Sequence, residues 1–116
     1  MFSSPLAQSF VYVAETPGGE VVGFASAGPQ REGDEMYKGE IYTLYLLQSY
    51  QKQGIGSLLF RACVTELHQS GMASLLVWVL AANPARKFYE AMGGKYLREK
   101  EIGSHRLIDV AYGWKI

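Results

Sequence analysis

The sequence predicts a single α+β domain, an α/β-type three-layer arrangement around a mixed, mostly antiparallel sheet with a β-α-β unit at its centre. Three observations predict it. Six short runs rich in β-branched and aromatic residues are bounded by Gly, Pro, Asn or Ser, the pattern of strands and turns. Between the third and fourth runs lies a longer stretch with helical spacing, and the fourth is apolar without alternation, as a buried parallel neighbour is. A chain of 116 residues suffices for one core and leaves little room for a second.

Taken in order, residues 1–8 (MFSSPLAQ) have no clear period and read as an irregular lead-in. Residues 9–16 (SFVYVAET) and 20–28 (EVVGFASAG) form a hairpin across Pro17-Gly18-Gly19, with Gly23 marking a bulge or a close backbone approach. Residues 29–39 are polar and read as a mobile loop. Its Glu32, Asp34 and Glu35 are expected to be solvated charges rather than a lure for a cationic substrate. Residues 40–47 (EIYTLYLL) are apolar on both alternating faces and belong at the centre of the sheet. The helix runs over residues 57–69, with Leu58, Leu59, Ala62, Cys63 and Leu67 on its buried face and Ser70-Gly71 as its stop. Residues 74–80 (SLLVWVL) are the parallel strand. A second helix starts at Asn83-Pro84, Asn83 as N-cap and Pro84 at the first position, where no N–H is needed. Ala85, Phe88 and Ala91 or Met92 make its buried face, and Gly93-Gly94 ends it. Residues 95–102 and 106–114 close the sheet as a hairpin around Gly103-Ser104-His105.

Lys plus Arg equals Asp plus Glu at 11 each, so net charge offers no reason to expect a nucleic-acid partner. No apolar run approaches the roughly 18 residues of a membrane span, and the start lacks the features of a secretory signal, so no membrane association is expected. Cys63 is the only cysteine, which leaves no intramolecular disulfide and no cysteine-based metal cluster. It reads as a core residue, and the chain as soluble and cytoplasmic. His68 and His105 have no partner at metal or catalytic spacing and read as structural, so no metal is expected. Neither a Ser-His-Asp set nor a Walker-type phosphate loop is present.

The chemistry concentrates in Gln51-Lys52-Gln53-Gly54-Ile55-Gly56-Ser57, a glycine-bearing turn between the central strand and the first helix. Such a turn leaves the first N–H groups of the helix without acceptors and points them where the helix dipole favours an anion. A short Gly-x-Gly alone is as often a plain turn. Placed here, however, Gln-x-x-Gly-x-Gly resembles the acyl-coenzyme A pyrophosphate loop of the GNAT family of N-acetyltransferases. The segment from Asn83 through Tyr89 to Gly94 is similar to that family's second cofactor-side helix, and the likeness covers about residues 10–116.

That resemblance implies an acetyl-coenzyme A-dependent N-acyltransferase, in which a primary amine of a small molecule or peptide attacks the thioester directly. Backbone N–H groups of Gln53, Gly54, Ile55, Gly56 and Ser57 would take the pyrophosphate, with Gln51 and Lys52 adding side-chain donors or charge. Leu44, Tyr45 and Leu46 would pair with the pantetheine arm, which requires a splay between the two parallel strands, and a backbone N–H there faces the thioester oxygen. Asn83 would contact the pantetheine, Tyr89 would protonate the leaving thiolate, and Glu40 would be the base for the amine. For each, a bland role exists: capping for Asn83, a surface tyrosine, a solvated carboxylate. The family usually carries a strand and two helices ahead of the equivalent of Phe10. Their absence from this sequence leads us to expect a reduced acceptor site and a homodimer that covers the exposed surface. The alternatives are a coenzyme A-binding module with little or no transferase activity, or a purely structural domain with no affinity for coenzyme A.

Overall fold

The computed structural model describes residues 9–34, 36–103 and 106–116. The elements are β1 (Phe10–Glu15), β2 (Val21–Pro29), β3 (Gly39–Leu46), α1 (Ile55–Gln69), β4 (Ser74–Leu80), α2 (Ala85–Ala91), β5 (Lys95–Ile102) and β6 (Leu107–Lys115). A 3-10 turn, Gln48–Tyr50, links β3 to the glycine turn. The expected lead-in, Glu35 and His105 lie outside the described residues.

The strands form one sheet in the order β1-β2-β3-β4-β6-β5. Its only parallel pair among the described residues is β3–β4, with α1 as the crossover between them. The sequence-based order of elements therefore holds, and the mixed, mostly antiparallel sheet is as expected. Gly23 combines both of its expected roles. The β1–β2 register shifts beside it, and a Cβ there would come within 2.7 Å of the Tyr45 carbonyl oxygen.

Both helices pack on the same face of the sheet, joined by the Phe60–Phe88 edge contact. The reason is topological. The connections β3-α1-β4 and β4-α2-β5 carry the chain in the same direction across the sheet, and crossovers of one hand then place their helices on one side. Among the described residues the fold thus has two layers, a correction to the three expected. Under the helices lie Ala25, Ala27, Ile41, Leu75, Val77, Val79, Val110 and Tyr112, which meet Leu59, Phe60, Cys63, Leu67 and Tyr89 in one core. Each large side chain fully buried there contributes roughly 1.5–3 kcal/mol of transfer free energy. Cys63 is wholly buried, and burial pushes its thiol up to about 11. Leu58, expected on the buried face, is instead 65% exposed, because the inward stripe falls on Leu59, Phe60, Cys63 and Leu67.

The other sheet face carries no helix among the described residues, but the β2–β3 loop folds onto it. Asp34 pairs with Arg98 at 2.7 Å and Glu32 with Lys100 at 2.5 Å. Tyr37 lies on Gly113, where a Cβ would come within 2.5 Å of its ring. The expected solvated loop is therefore tied to β5 and β6. No helix among the described residues is long and apolar enough to cross a membrane.

Candidate active site

A fork in the sheet begins the site. β3 and β4 pair only from Gly39 to Ile41 and from Leu75 to Val77, although β3 continues to Leu46 and β4 to Leu80. The cause is local. Tyr42 is an extra residue between Ile41, opposite Ala27, and Thr43, opposite Ser26, and such a bulge bends its strand away from a neighbour. Beyond it, Leu44, Tyr45 and Leu46 stay in register with Ala25, Phe24 and Gly23 of β2. Their opposite edge is open toward β4, with main-chain groups disposed to receive an extended ligand.

The glycine turn closes the near end of this gap. Lys52 (φ 62°) and Gly54 (φ 86°) are both left-handed, which folds the chain tightly enough for Gly54 to cap α1. There is no side-chain cap and no acidic residue in the first turn, and the Leu58 N–H is bonded back to the Gly54 carbonyl at 3.1 Å. The preceding N–H groups of Ile55, Gly56 and Ser57 therefore leave the helix without intrahelical acceptors. Gly56 also faces α2: a Cβ there would lie 3.4 Å from the Phe88 ring, an ordinary contact.

The far wall comes from α2. The Ala85 N–H donates to Asn83 Oδ1 at 2.8 Å, while α2 itself begins at Ala85 with Pro84 (φ −58°) at its N-cap, one position later than the sequence led us to expect. The helix is pinned to β6 by two contacts. Trp114 Nε1 donates to the Met92 carbonyl, while Arg86 donates to the Tyr112 hydroxyl, which in turn donates to Glu90. Held this way, Tyr89 is 6% exposed, and burial pushes its phenol up to about 12. Its hydroxyl has no hydrogen-bond partner among the described residues. Tyr89 is thus fully protonated at neutral pH and is the fully buried residue of α2; Ala85, Phe88 and Met92, expected from the spacing, pack partly buried against the same core, whereas Ala91 is exposed.

These elements enclose a cleft of about 680 Å³. Of the residues singled out from the sequence, Leu44, Leu46, Gln51, Lys52, Gly54, Gly56, Ser57, Asn83 and Tyr89 line it. So do Pro84, Ala85, Lys87 and Phe88, to which the sequence reading gave no ligand role. Lys87 was within reach of that reading, since it follows Asn83 by four residues and shares its helix face. The Gln51 amide donates to the Leu46 carbonyl at 3.0 Å, so one of its N–H groups closes the turn itself. Gln53 and Ile55 border a different groove, about 450 Å³ between β1 and α1, and the Gln53 amide donates to the Ser49 carbonyl. The Tyr45 ring lies on the opposite sheet face beside Phe24.

Glu40 also does not line the cleft. It is buried on the opposite face at the base of the fork, where its carboxylate accepts from the Arg31 N–H at 3.2 Å and from Arg31 Nη2 at 3.1 Å. The Arg31 guanidinium lies 4.1 Å from the centre of the Tyr42 ring.

The family model described as an acetyltransferase (GNAT) domain matches residues 7–93. This chain belongs to the GNAT acetyltransferase family. It is 42% identical over 106 residues to the uncharacterized N-acetyltransferase YuaI of Bacillus subtilis (strain 168), a match that covers 90% of this chain and 61% of that protein. Among solved structures, it is similar to Arabidopsis thaliana NAA60 in complex with a bisubstrate analogue (TM-score 0.77, 20% identity, 92% of this chain and 75% of that one). It also resembles an aminoglycoside 6'-N-acetyltransferase complexed with coenzyme A (TM-score 0.79, 17% identity, 92% and 72%). At these identities the structural matches establish the GNAT fold.

Proposed function

We propose that this GNAT domain transfers the acetyl group of acetyl-coenzyme A to a primary amine by direct attack. The observation that carries the reading is that one cleft brings together an open strand edge, a helix N-terminus with free N–H groups, and a buried, protonated phenol. The name of the Bacillus subtilis relative and the coenzyme A held by the aminoglycoside acetyltransferase support it.

When bound, acetyl-coenzyme A supplies the acyl group as a thioester. The chain supplies the rest. N–H groups of Gly54, Ile55, Gly56 and Ser57 bind the pyrophosphate, and Lys52 and Lys87 add positive charge at the mouth. The open edge of Leu44–Leu46 orients the extended arm, and Asn83, whose amide nitrogen is not needed for capping, donates to it. Tyr89 gives its proton to the departing sulfur, a task suited to a phenol that burial keeps protonated. The acceptor approaches from the opposite face of the fork. There Glu40 takes up the amine proton through water, with Arg31 fixing the carboxylate. The chain works in the cytoplasm, and a homodimer joins through the edge of β1 that pairs with no strand among the described residues, where Val11 and Val13 are exposed.

One observation favours a second reading, a coenzyme A-binding module with little transfer activity: Glu40 is already engaged by Arg31. Product formation from acetyl-coenzyme A with a broad panel of small amines and peptides, followed by mass spectrometry, separates the two. Transfer reading requires an acetylated amine that disappears with Tyr89→Phe. Binding of coenzyme A without any product across the panel would establish the module instead.

A further inference from the structure

Resting on the cofactor placement above, we infer that Arg86 is a positioning residue: through the Ala81 carbonyl and the Tyr112 hydroxyl it fixes the β4–α2 turn so that the Asn83 amide meets the pantetheine arm. Arg86 is not among the residues that line the cleft. Lys87 lines it, whereas Arg86 and Glu90, four residues apart on another face of α2, both reach Tyr112 of β6. The turn needs an outside support. Residues 81–84 join the end of β4 to the start of α2, and Ala82, Asn83 and Pro84 are exposed. The Asn83 N–H donates to the Leu80 carbonyl at 2.9 Å and the Arg86 N–H to the Asn83 carbonyl at 3.1 Å, bonds that shape the turn from within. Among the described residues, Arg86 is the only side chain beyond residues 80–84 that bonds to this stretch.

The guanidinium gives this support with two donors at once. Nη1 donates to the Ala81 carbonyl at 3.1 Å, and Nε donates to the Tyr112 hydroxyl at 3.1 Å. The hydroxyl in turn donates to Glu90 Oε2 at 2.6 Å; an ionised carboxylate only accepts, so the order of donation is fixed. Tyr112 is 1% exposed and belongs to the core, which makes its hydroxyl a rigid anchor. One buried hydroxyl thus links both turns of α2 to β6, and the other arm of the guanidinium extends the link to the end of β4. A planar guanidinium presents its donors as a fixed fork, and a lysine ammonium on a flexible stem does not. The consequence falls on Asn83. Its Oδ1 accepts from the Ala85 N–H at 2.8 Å, so the amide is held by the turn and by the start of α2, and its nitrogen points where they direct it. A donor fixed in advance binds its ligand with less ordering cost.

Calorimetric titration tests this with two ligands, coenzyme A and coenzyme A truncated after its diphosphate, which lacks the pantetheine arm. Wild type, Arg86→Lys and Tyr112→Phe are titrated alone and combined with Asn83→Ala. Both substitutions keep the net charge at neutral pH, so the attraction of the phosphates is preserved. Each should weaken coenzyme A by about 3- to 10-fold, the scale of one net hydrogen bond, and leave the truncated ligand within about 2-fold. In the Asn83→Ala background the same substitutions should cost less than about 2-fold, because no amide is left to position. Equal weakening of both ligands overturns the inference, as does an unchanged affinity for coenzyme A or a loss that persists in Asn83→Ala. Should Arg86→Lys not fold, Tyr112→Phe, which keeps the buried ring, decides the matter. Those results leave the cofactor placement standing, whereas a wild type that binds the two ligands equally removes the placement of the arm and the inference together. A spectroscopic arm reads the turn directly. In nitrogen-15-labelled protein, saturating coenzyme A should shift the Asn83 side-chain amide signals strongly in wild type and much less in Tyr112→Phe; equal shifts in the two overturn the inference.

Discussion

Gly56→Asp places a carboxylate where the pyrophosphate is proposed to bind, and the structure indicates what it costs and what it spares. A Cβ at Gly56 would lie 3.4 and 3.6 Å from two Phe88 ring atoms, ordinary contact at the tight limit, so the helix pair need not move apart. The residue is in the first turn of α1, which has no acidic side chain, and a carboxylate there gains roughly 0.3–1 kcal/mol from the helix dipole. The ligand-free variant should therefore unfold within about 1 kcal/mol of wild type. Binding is another matter. Two unit charges about 5 Å apart repel by about 3 kcal/mol at an effective dielectric near 20, or roughly two orders of magnitude in Kd. At acetyl-coenzyme A about 100-fold above the wild-type Kd, linkage stabilises the wild type by about 2.7 kcal/mol, which is ~10 °C in Tm for a domain of this size. The variant should retain about 0.4 kcal/mol, under ~2 °C, at the same concentration. Gly56→Ala, which adds the bulk without the charge, should keep most of the shift. Differential scanning fluorimetry with calorimetric titration measures all three. Equal stabilisation of Gly56→Asp and wild type would refute the placement of the phosphates.

Three further outcomes follow from the same geometry. Tyr89→Phe should lower kcat by roughly 10- to 1,000-fold while leaving the Kd of acetyl-coenzyme A within a few-fold, because the hydroxyl acts only as sulfur departs; steady-state kinetics beside calorimetry checks it, and unchanged turnover with rate-limiting chemistry would remove Tyr89 from the mechanism. The Tyr89 phenol is raised from 10.0 to about 12 by burial, so between those values the unfolded chain loses a proton that the folded chain keeps. Its share of stability is complete below pH 10 and is lost as pH rises toward 12, by up to about 3 kcal/mol. Urea titrations should show a shallower alkaline decline in Tyr89→Phe. Cys63, wholly buried and with its thiol pushed to about 11, should resist Ellman's reagent in the native protein and react at once in denaturant; prompt native labelling would contradict the packing of α1.

How much of this was legible in the sequence depended on the range of the interaction concerned. The strands, the glycine turn and the Asn83-Pro84 start were readable because β-branching, left-handed glycine and capping act over a few residues. β4 and β5 were bounded as observed, and α1 began two residues early only because Gly54 itself is the cap. The residues that line the cleft on β3, the turn and α2 were legible largely through resemblance. What failed depended on distant partners. The loop carboxylates of Asp34 and Glu32 meet Arg98 and Lys100, 64 and 68 residues away, and nothing local announces such pairs. Tyr89 is buried because Trp114 and Phe88 pack against it, and a seven-residue helix is too short for its own period to fix the inward face.

The central claim is that the fork and the helix N-terminus together form the acyl-coenzyme A site. Mapping of backbone amide shifts in nitrogen-15-labelled protein during a titration with acetyl-coenzyme A tests it most directly. The account predicts the largest changes at Gly54–Ser57 and Leu44–Leu46, with lesser ones at Asn83 and Lys87. Saturable shifts confined to the β1–α1 groove around Val13, Gln53 and Leu58, or no shifts at millimolar ligand, would contradict it.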